Sequence, residues 1–355
     1  MNKKKGKVLI AMSGGVDSSV SALLLKKSGY EVVGVTMCFG IDNKSETDVK
    51  CCGVRAIEDA RAVCRKLGIS HYIWDFSKDL KNKVIIKFID EYIHGSTPNP
   101  CIECNRHLKF DLLLKKALAI GFDYISTGHY ARIIKKNDCY FLKKPKDKIK
   151  DQTYFLYPIK YEYLKNILFP LGNYTKGEVR EIAKKENLIV ANKTESQDIC
   201  FIDSKNYHEF LKERIQKIEK GQIKDLNGRI LGEHNGICFY TIGQRKGLKI
   251  SSEIPIYVIS IDPIQNIITA GEDKYLLSRG LIAKDINFLV KNLNKNISAK
   301  IRYNQEEAQC TIDIINDRVK VIFKQKQRAV ASGQSVVFYH KDILVGGGII
   351  ESSFN

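Results

Sequence analysis

The sequence predicts a doubly wound α/β domain built on a parallel sheet, followed by a small central domain and a β-rich C-terminal domain. Three observations carry that prediction. From residue 7 to about residue 134, short apolar runs alternate with helical stretches, the rhythm of a parallel sheet covered by helices. A glycine-serine loop, Met12-Ser13-Gly14-Gly15-Val16-Asp17-Ser18-Ser19, joins the first apolar run to the first helical one. From about Gly221 the texture changes to short strand-like runs with Asn227-Gly228 and Asn235-Gly236 between them, the pairs that hairpin turns favour.

In chain order, Lys7-Val8-Leu9-Ile10-Ala11 reads as a buried strand and 20–25 as a helix stopped by Gly29. Residues 31–35 form the second strand, and 52–67 a helix with Ala56, Ala60 and Val63 on one face and Gly68 as its stop. A third strand at 71–74, helices at 84–92 and 110–119, and a fourth strand at 123–126 complete the alternation. Ligands of such a sheet bind beyond the carboxyl ends of its strands. Met37 and Thr127-Gly128-His129-Tyr130 stand just past the second and fourth strands. Residues 134–150 are lysine-rich and read as a loop, either solvated or touching phosphates. Helices follow at 176–187 and 207–218. The runs 300–303, 310–314, 319–323, 335–339 and 343–350 alternate as strands of a small barrel or sandwich, turning at Asn316-Asp317 and Lys341-Asp342. There is no internal repeat and no low-complexity tract.

The 355 residues suffice for two or three domains with ample core. A net charge of +18 favours a polyanionic partner, although lysine far outnumbers arginine and part of the excess is compositional. The basic N-terminus precedes an apolar run of only five residues, cut short by Ser13, so no signal peptide is expected, and no stretch reaches transmembrane length. Ten cysteines in an unsecreted chain argue for thiol or metal chemistry and against a disulfide scaffold. The expected compartment is the cytoplasm, with no membrane partner.

Strand, glycine turn and helix together make an anion site. Glycines let the backbone approach a phosphate, and the helix start offers unpaired N–H groups and the positive end of its dipole. Ser13, Ser18 and Ser19 add hydroxyls, and Asp17 could hold Mg²⁺ or a nucleotide hydroxyl. The loop lacks G-x-x-x-x-G-K-S/T, G-x-G-x-x-G and G-x-S-x-G, so the common nucleotide and serine-hydrolase loops are excluded. It resembles the PP-loop of ATP pyrophosphatases, which cleave ATP between the α- and β-phosphates and transfer AMP to an oxygen.

Thr97-Pro98-Asn99-Pro100-Cys101-Ile102-Glu103-Cys104-Asn105 is the second chemical stretch, expected as a stiff loop. C-x-x-C in a cytoplasmic chain points to redox or metal work. No second C-x-x-C or H-x₃₋₅-H completes a zinc site, and adjacent Cys51 and Cys52 are poorly spaced for one tetrahedral metal. Cys200, between Ile199 and Phe201, reads on its own as a core residue, as do Cys38, Cys64, Cys139, Cys238 and Cys310.

SGGVDSS, TPNPC-x-x-CN, STGHYAR, KDQTYFL, SQDICFI and YTIGQRKGL occur in that order. Together they resemble the bacterial tRNA-specific 2-thiouridylases, from Lys7 to the Ser332-Gly333-Gln334-Ser335 and 346–350 stretches. The resemblance implies an adenine-nucleotide α-hydrolase-like PP-loop domain at 1–203, a central domain at 204–271 and a C-terminal β-barrel at 272–355. It implies ATP with Mg²⁺ on Ala11, Met12, Ser13, Gly14, Gly15, Val16, Asp17 and Ser18, with Met37 and Gly128 completing the site. Cys104 would be the nucleophile and Cys200 the persulfide carrier, the two forming a transient disulfide. Asn99, Pro100 and Cys101 would touch the target base, and Lys150, Asp151, Gln152, His129, Arg302, Tyr303 and Gln334 the tRNA. A sulfur-relay protein or cysteine desulfurase would load Cys200.

That chemistry needs both parts. The C2 oxygen of uracil is a poor leaving group until adenylation turns it into AMP, and sulfur then arrives from a persulfide. A thiolate is required, so a depressed Cys104 pKa is expected. The base must leave its stack, so the 97–105 segment is expected to move when tRNA binds. Because Cys101 stands where some family members carry another residue, Cys101, Cys104 and Cys200 could instead hold a 4Fe–4S cluster with one open iron. A PP-loop ligase or amidotransferase acting on a small molecule, or a non-catalytic RNA-binding protein, are the rival readings.

Overall fold

The computed structural model describes residues 5–40, 54–194, 199–202, 207–291 and 296–355. The chain forms two compact units. One comprises residues 1–83, 101–201 and 342–344, and the other 84–100, 202–341 and 345–355. Among the described residues no helix is long and apolar enough to cross a membrane.

The first unit is the doubly wound domain. Its sheet contains β1 (Lys7–Ala11), β2 (Glu31–Cys38), β3 (His71–Asp75) and β4 (Tyr124–Ser126). Farther along the chain come a hairpin of β5 (Arg132–Lys136) and β6 (Cys139–Lys143), and then β7 (Ile167–Leu168). The sheet order is β3-β2-β1-β4-β7, every pair parallel. Central β1 reads as an unbroken apolar run because helices cover both its faces: Val8, Leu9 and Ile10 are fully buried. Val8 and Ile10 share one core with Val20 and Leu23 of the helix Val16–Lys27, Ala60 and Val63 of the helix Val54–Leu67, and Val179 and Ala183 of the helix Lys176–Lys185. The chain runs outward from β1 to β2 and β3, then returns to place β4 on the other side of β1. That reversal is the switch point at which loops diverge and leave a crevice.

The second unit carries two β structures. β8 (Gly221–Lys224), β9 (Ile230–His234), β10 (Tyr257–Asp262) and β11 (Ile267–Gly271) form a four-stranded sheet ordered β10-β11-β8-β9. The six remaining strands are β12 (Leu277–Phe288), β13 (Ile297–Lys300), β14 (Ala308–Ile315), β15 (Arg318–Arg328), β16 (Ser335–His340) and β17 (Ile343–Phe354). They run β12-β15-β14-β13-β16-β17 and close through a β12–β17 pairing into a barrel. Val319, Val321, Phe323, Val336 and Phe338 fill its interior. Closure removes the sheet edges that an open sandwich would leave.

Several sequence expectations are corrected. The lysine-rich 134–150 segment is largely the β5–β6 hairpin, turned by Asn137 and Asp138 at φ 48 and 58, a turn Asn and Asp tolerate. Residues 100–119 are one helical run: Pro100–Cys104 is α-helical, Asn105–Leu113 π-helical and Leu114–Ala119 α-helical. The cysteine pair therefore sits on a helix, with Pro100 at the start where its missing N–H costs nothing. The 84–92 helix is split between a π-turn at Lys81–Ile85 and a helix at Ile86–Ile93. The 207–218 helix stops at Lys212. Gly236, at φ 128, opens a 3₁₀ turn at Ile237–Phe239 in place of a hairpin. Residues 301–303 lie past the end of β13. The long strand β12 carries polar residues along its length, which hides it from a search for apolar runs.

Candidate active site

The loop after β1 is held in shape by its own hydroxyls. Ser18, 3% exposed, accepts at Oγ from the Ser13 N–H at 3.2 Å, and Ser18 and Ser19 donate to the Gly15 carbonyl at 3.2 and 2.8 Å. Gly14 adopts φ +69, and a Cβ there would stand 2.2 Å from the Ala56 carbonyl oxygen, so only glycine fits. The twelve-residue helix Val16–Lys27 then presents its N-terminus to the loop, giving the fold a place for a phosphate.

Asp17 is not open. Lys176 donates to both its carboxylate oxygens at 2.7 and 2.8 Å, and the Tyr130 hydroxyl donates at 2.9 Å. Lys193 donates to the Gly14 carbonyl at 2.9 Å and to Asp59 at 2.6 Å. The loop has no lysine of its own, and the chain brings two from the far side of the unit's sequence. Sequence reading missed Lys176, Lys193 and Asp59, and placed Tyr130 past the fourth strand without a partner. The available signal was the Thr175-x-x-Glu178 capping box, which fixes where the Lys176 helix begins.

Gly128 and Met37 sit at the carboxyl ends of β4 and β2. A Cβ on Gly128 would lie 2.8 Å from the Ser18 nitrogen, so the loop after β4 packs directly on the helix start. Thr36, beside Met37, donates to the Met12 carbonyl at 2.9 Å. Gln152 continues the connection: its Oε1 accepts from the Tyr130 N–H at 2.9 Å, and its own N–H donates to the Tyr130 carbonyl at 3.2 Å. Asp151 accepts from the Thr153 N–H and hydroxyl at 2.9 and 2.6 Å, and the Lys150 N–H donates to Asp147. The Lys150-Asp151-Gln152 segment is thus a shaped turn tied to the nucleotide loop through Tyr130.

On the cysteine helix Cys101 is exposed and Cys104 only 6% exposed. Asn105, 1% exposed, donates to the Phe155 carbonyl at 2.9 Å, and its Oδ1 has no hydrogen-bond partner among the described residues. Glu103 is buried beside Arg106 at 3.5 Å and His107 at 3.3 Å. Crowding by protein pushes both thiols up, Cys101 and Cys104 alike, and the Lys109 ammonium opposes the rise at each. At Cys104 the neighbouring Cys101 adds to it. The expected depression of Cys104 is therefore not found: burial raises the thiol. Burial pushes His129 far below its usual range, and Lys109 adds to that. Its Nδ1 shares a hydrogen bond with the Thr127 hydroxyl at 2.7 Å, and its ring lies 5.7 Å from Phe110 and 6.2 Å from Phe169. Lys109 is the other residue that sequence reading missed.

Cys200 is exposed and is described together with residues 199–202; 195–198 and 203–206 lie outside the described residues, as do Cys51 and Cys52. Among the described residues no three His, Cys, Asp or Glu side chains gather closely enough to share a metal ion.

The remaining candidates belong to the second unit. Arg302 donates from Nη2 to the Ile242 and Ala329 carbonyls, each at 3.0 Å. Lys300 lies over the Tyr303 ring at 5.9 Å. Gln334 donates from Nε2 to the Thr97 carbonyl at 2.8 Å. Asn99 is partly buried and Pro100 buried, while Arg245 and Lys246 are exposed.

Three family models match the chain: a tRNA methyl transferase HUP domain over residues 6–204, a tRNA methyl transferase PRC-barrel domain over 208–272 and an aminomethyltransferase β-barrel domain over 278–350. A tRNA-specific 2-thiouridylase of Syntrophus aciditrophicus is 52% identical over 353 residues, covering 99% of this chain and 94% of the relative. One from Clostridioides difficile is 50% identical over 361 residues, covering 99% of each.

Proposed function

The chain belongs to the tRNA-specific 2-thiouridylase family, and from that premise we infer that it is an ATP-dependent tRNA sulfurtransferase. The observation that carries the reading is the Gly128-His129 pair. Gly128 abuts the helix start at Ser18. His129 packs on Phe110 of the cysteine-bearing helical run and feels the same Lys109 charge as Cys101 and Cys104. One loop therefore joins a phosphate cradle to two thiols, as adenylation followed by sulfur transfer requires.

ATP binds the 11–18 loop, where Mg²⁺ would supply neutralisation of the phosphate charge. Lys176 and Lys193 are placed to exchange their present partners for phosphate oxygens. The C2 oxygen of the wobble uridine attacks the α-phosphorus, the bond to the β-phosphate oxygen breaks, and pyrophosphate leaves. Cys200 carries the sulfur as a persulfide delivered by a sulfur-relay protein or cysteine desulfurase. In one order of events the Cys104 thiolate attacks the Cys200 inner sulfur, releasing hydrosulfide, which adds at C2 and expels AMP. In the other, the terminal persulfide sulfur adds at C2, AMP leaves, and Cys104 attacks Cys200 to free the thiocarbonyl. Both end in a Cys104–Cys200 disulfide that an external dithiol reduces. Burial raises the Cys104 thiol and the Lys109 ammonium opposes that rise, so Cys104 needs a nearby cation or base to attack as the thiolate.

Asn99, Pro100 and Cys101 line the base pocket in this reading, and Lys150, Asp151, Gln152, His129, Arg302, Tyr303 and Gln334 hold the tRNA. The three matched segments support a division at 203 and 271, and a tRNA substrate supports a cytoplasmic site of action. The test is mass spectrometry of tRNA nucleosides after incubation with ATP, Mg²⁺, a persulfide donor and dithiol. The wild type yields 2-thiouridine. Cys104→Ser and Cys200→Ser yield none yet still release pyrophosphate with tRNA, and Cys101→Ser is only modestly slowed. Undiminished thiolation in either of the first two variants removes that cysteine from the mechanism, and its absence in Cys101→Ser moves the chemistry to a three-thiolate centre.

A further inference from the structure

Within the first unit, the helices Val16–Lys27 and Lys176–Lys185 pack into one core, and their first turns bring opposite charges together. Lys176 Nζ donates to both Asp17 oxygens at 2.7 and 2.8 Å, and the Tyr130 hydroxyl donates to Oδ1 of the same carboxylate at 2.9 Å. The Lys176 ammonium also lies 6.0 Å from the centre of the Tyr130 ring. The Lys176 side chain is 12% exposed and that of Asp17 31%, so the carboxylate is the more open half of the pair. The pair stands in the phosphate cradle itself: a Cβ on Gly128 would lie 3.0 Å from the Asp17 carbonyl carbon and 2.8 Å from the Ser18 nitrogen.

This arrangement treats two forms of one nucleotide differently. For Lys176 to reach a phosphate oxygen it must release Asp17. With metal-free ATP that release leaves a carboxylate beside a polyanion, partly screened from water, where like charges repel strongly. Lys193 does not relieve the repulsion, because it is bonded to Asp59 at 2.6 Å and to the Gly14 carbonyl at 2.9 Å. Mg²⁺ on the phosphates reverses the sign. It takes oxygen ligands and is held through one or two carboxylates together with substrate phosphates. Asp17 has the right donor atoms and enough exposure to meet it. One exchange then satisfies both groups, the ammonium passing to phosphate and the carboxylate to the metal.

We propose that the Asp17–Lys176 pair is a metal-gated lock on the nucleotide loop, which rejects metal-free ATP and opens for ATP that carries Mg²⁺. The lock rests on the ATP reading of the 11–18 loop above and adds to it a rule for which form of the nucleotide is admitted. Asp17 acts as an internal competitor that holds the cation the phosphates need. Linkage then makes the preference mutual: whatever factor Mg²⁺ adds to nucleotide affinity, nucleotide adds to Mg²⁺ affinity.

The test is calorimetric titration of the full chain with ATP at fixed ionic strength, once with Mg²⁺ and once with EDTA. Wild type should bind ATP with Mg²⁺ and bind it far more weakly in EDTA. Asp17→Asn should bind metal-free ATP about tenfold tighter than wild type does, the order of one charge-assisted bond, and gain little from Mg²⁺. Lys176→Met keeps the carboxylate without its cation and should lose metal-free binding altogether. Tyr130→Phe loosens the carboxylate without changing any charge and should give a smaller gain in EDTA. Glu186→Gln breaks the ion pair with Lys27 at the far ends of the same two helices and should leave both titrations unchanged. An equal gain in Glu186→Gln marks a general effect of net charge and overturns the lock. Metal-free affinity in Asp17→Asn no better than in wild type overturns it too, while Mg²⁺-dependent binding by wild type leaves the ATP reading standing. If wild type binds ATP in neither condition, the ATP reading falls and the lock with it. Where Asp17→Asn melts too low to titrate, Tyr130→Phe decides: no gain in EDTA counts against the lock.

Discussion

Asp17 reads from the sequence as a ligand for Mg²⁺ or a nucleotide hydroxyl, and the structure pairs it with Lys176, whose side chain is only 12% exposed. Removing the carboxylate costs that ammonium two short charge-assisted bonds in poor solvent, a loss that exceeds the worth of the pair itself. Asp17→Ala should therefore abolish pyrophosphate release and also lower Tm. The Asp17→Asn/Lys176→Met double variant should lose less Tm than the two single variants summed. Strict additivity in thermal melts would show that the pair does not couple. The histidines give a second prediction at this scale. Burial depresses His129 most, and also His71, His208 and His234. Each binds its proton more readily unfolded than folded, so each contributes stability that is complete above the unfolded pKa of about 6.5 and is lost as pH falls below it. Tm should drop on acidification from pH 7 toward 5, and His129→Gln should flatten the drop. A Tm flat over that range would contradict the burial of these rings. Neither the Asp17 pairing nor the Lys109 charge is legible in sequence, because both arise between residues far apart in the chain or across a helix of unexpected pitch.

The helix Lys176–Lys185 shows how an element positions a site. Its capping box is complete: the Thr175 N–H donates to Glu178 at 2.6 Å and the Glu178 N–H to the Thr175 hydroxyl at 3.3 Å. Lys176, the first helical residue, is aimed at Asp17 because the cap fixes where the helix begins. Thr175→Ala should cost about 1 kcal/mol of stability and raise the KM for ATP in pyrophosphate-release assays, whereas Lys185→Ala at the far end should change neither. An unaltered KM in Thr175→Ala would separate the cap from the site. Elements of this kind are legible in sequence where period and punctuation agree: β1 through its unbroken apolar run, the Lys176 helix through its cap, β14 and β15 through the Asn316 turn. They are lost where tertiary packing decides. The π-helical stretch Asn105–Leu113 has no local pattern to announce its pitch, and the two-residue β7 exists only through pairing with β4. The site follows the same rule. The glycine-serine loop and the cysteine pair are contiguous and can be read, while the lysines that complete them cannot.

At the scale of the whole molecule the question is which of the many cations grip RNA and which hold the protein together. A charge of +18 spread over 355 residues does not distinguish them, but geometry does. Arg302 donates to the Ile242 and Ala329 carbonyls and so ties the 242 loop to the end of the β15 strand region, whereas Arg245 and Lys246 are exposed. A guanidinium bonded to main-chain carbonyls is held in place by the fold, and truncating it leaves acceptors short of a donor. Arg302→Ala should therefore lower Tm as well as weaken tRNA binding, by about 1–2 kcal/mol, with little change in the salt slope. Arg245→Ala/Lys246→Ala should leave Tm in place and make the dependence of log K on log salt shallower by about one unit for each phosphate no longer neutralised. ATP binding should be unaffected in all of these variants, because the 11–18 loop belongs to the other unit. The deciding measurement is tRNA affinity over a salt series beside a thermal melt of each variant. If Arg302→Ala changes the salt slope at constant Tm while the Arg245/Lys246 pair changes neither, the roles are reversed. The carbonyl bonds of Arg302 would then be a resting posture that tRNA phosphates displace.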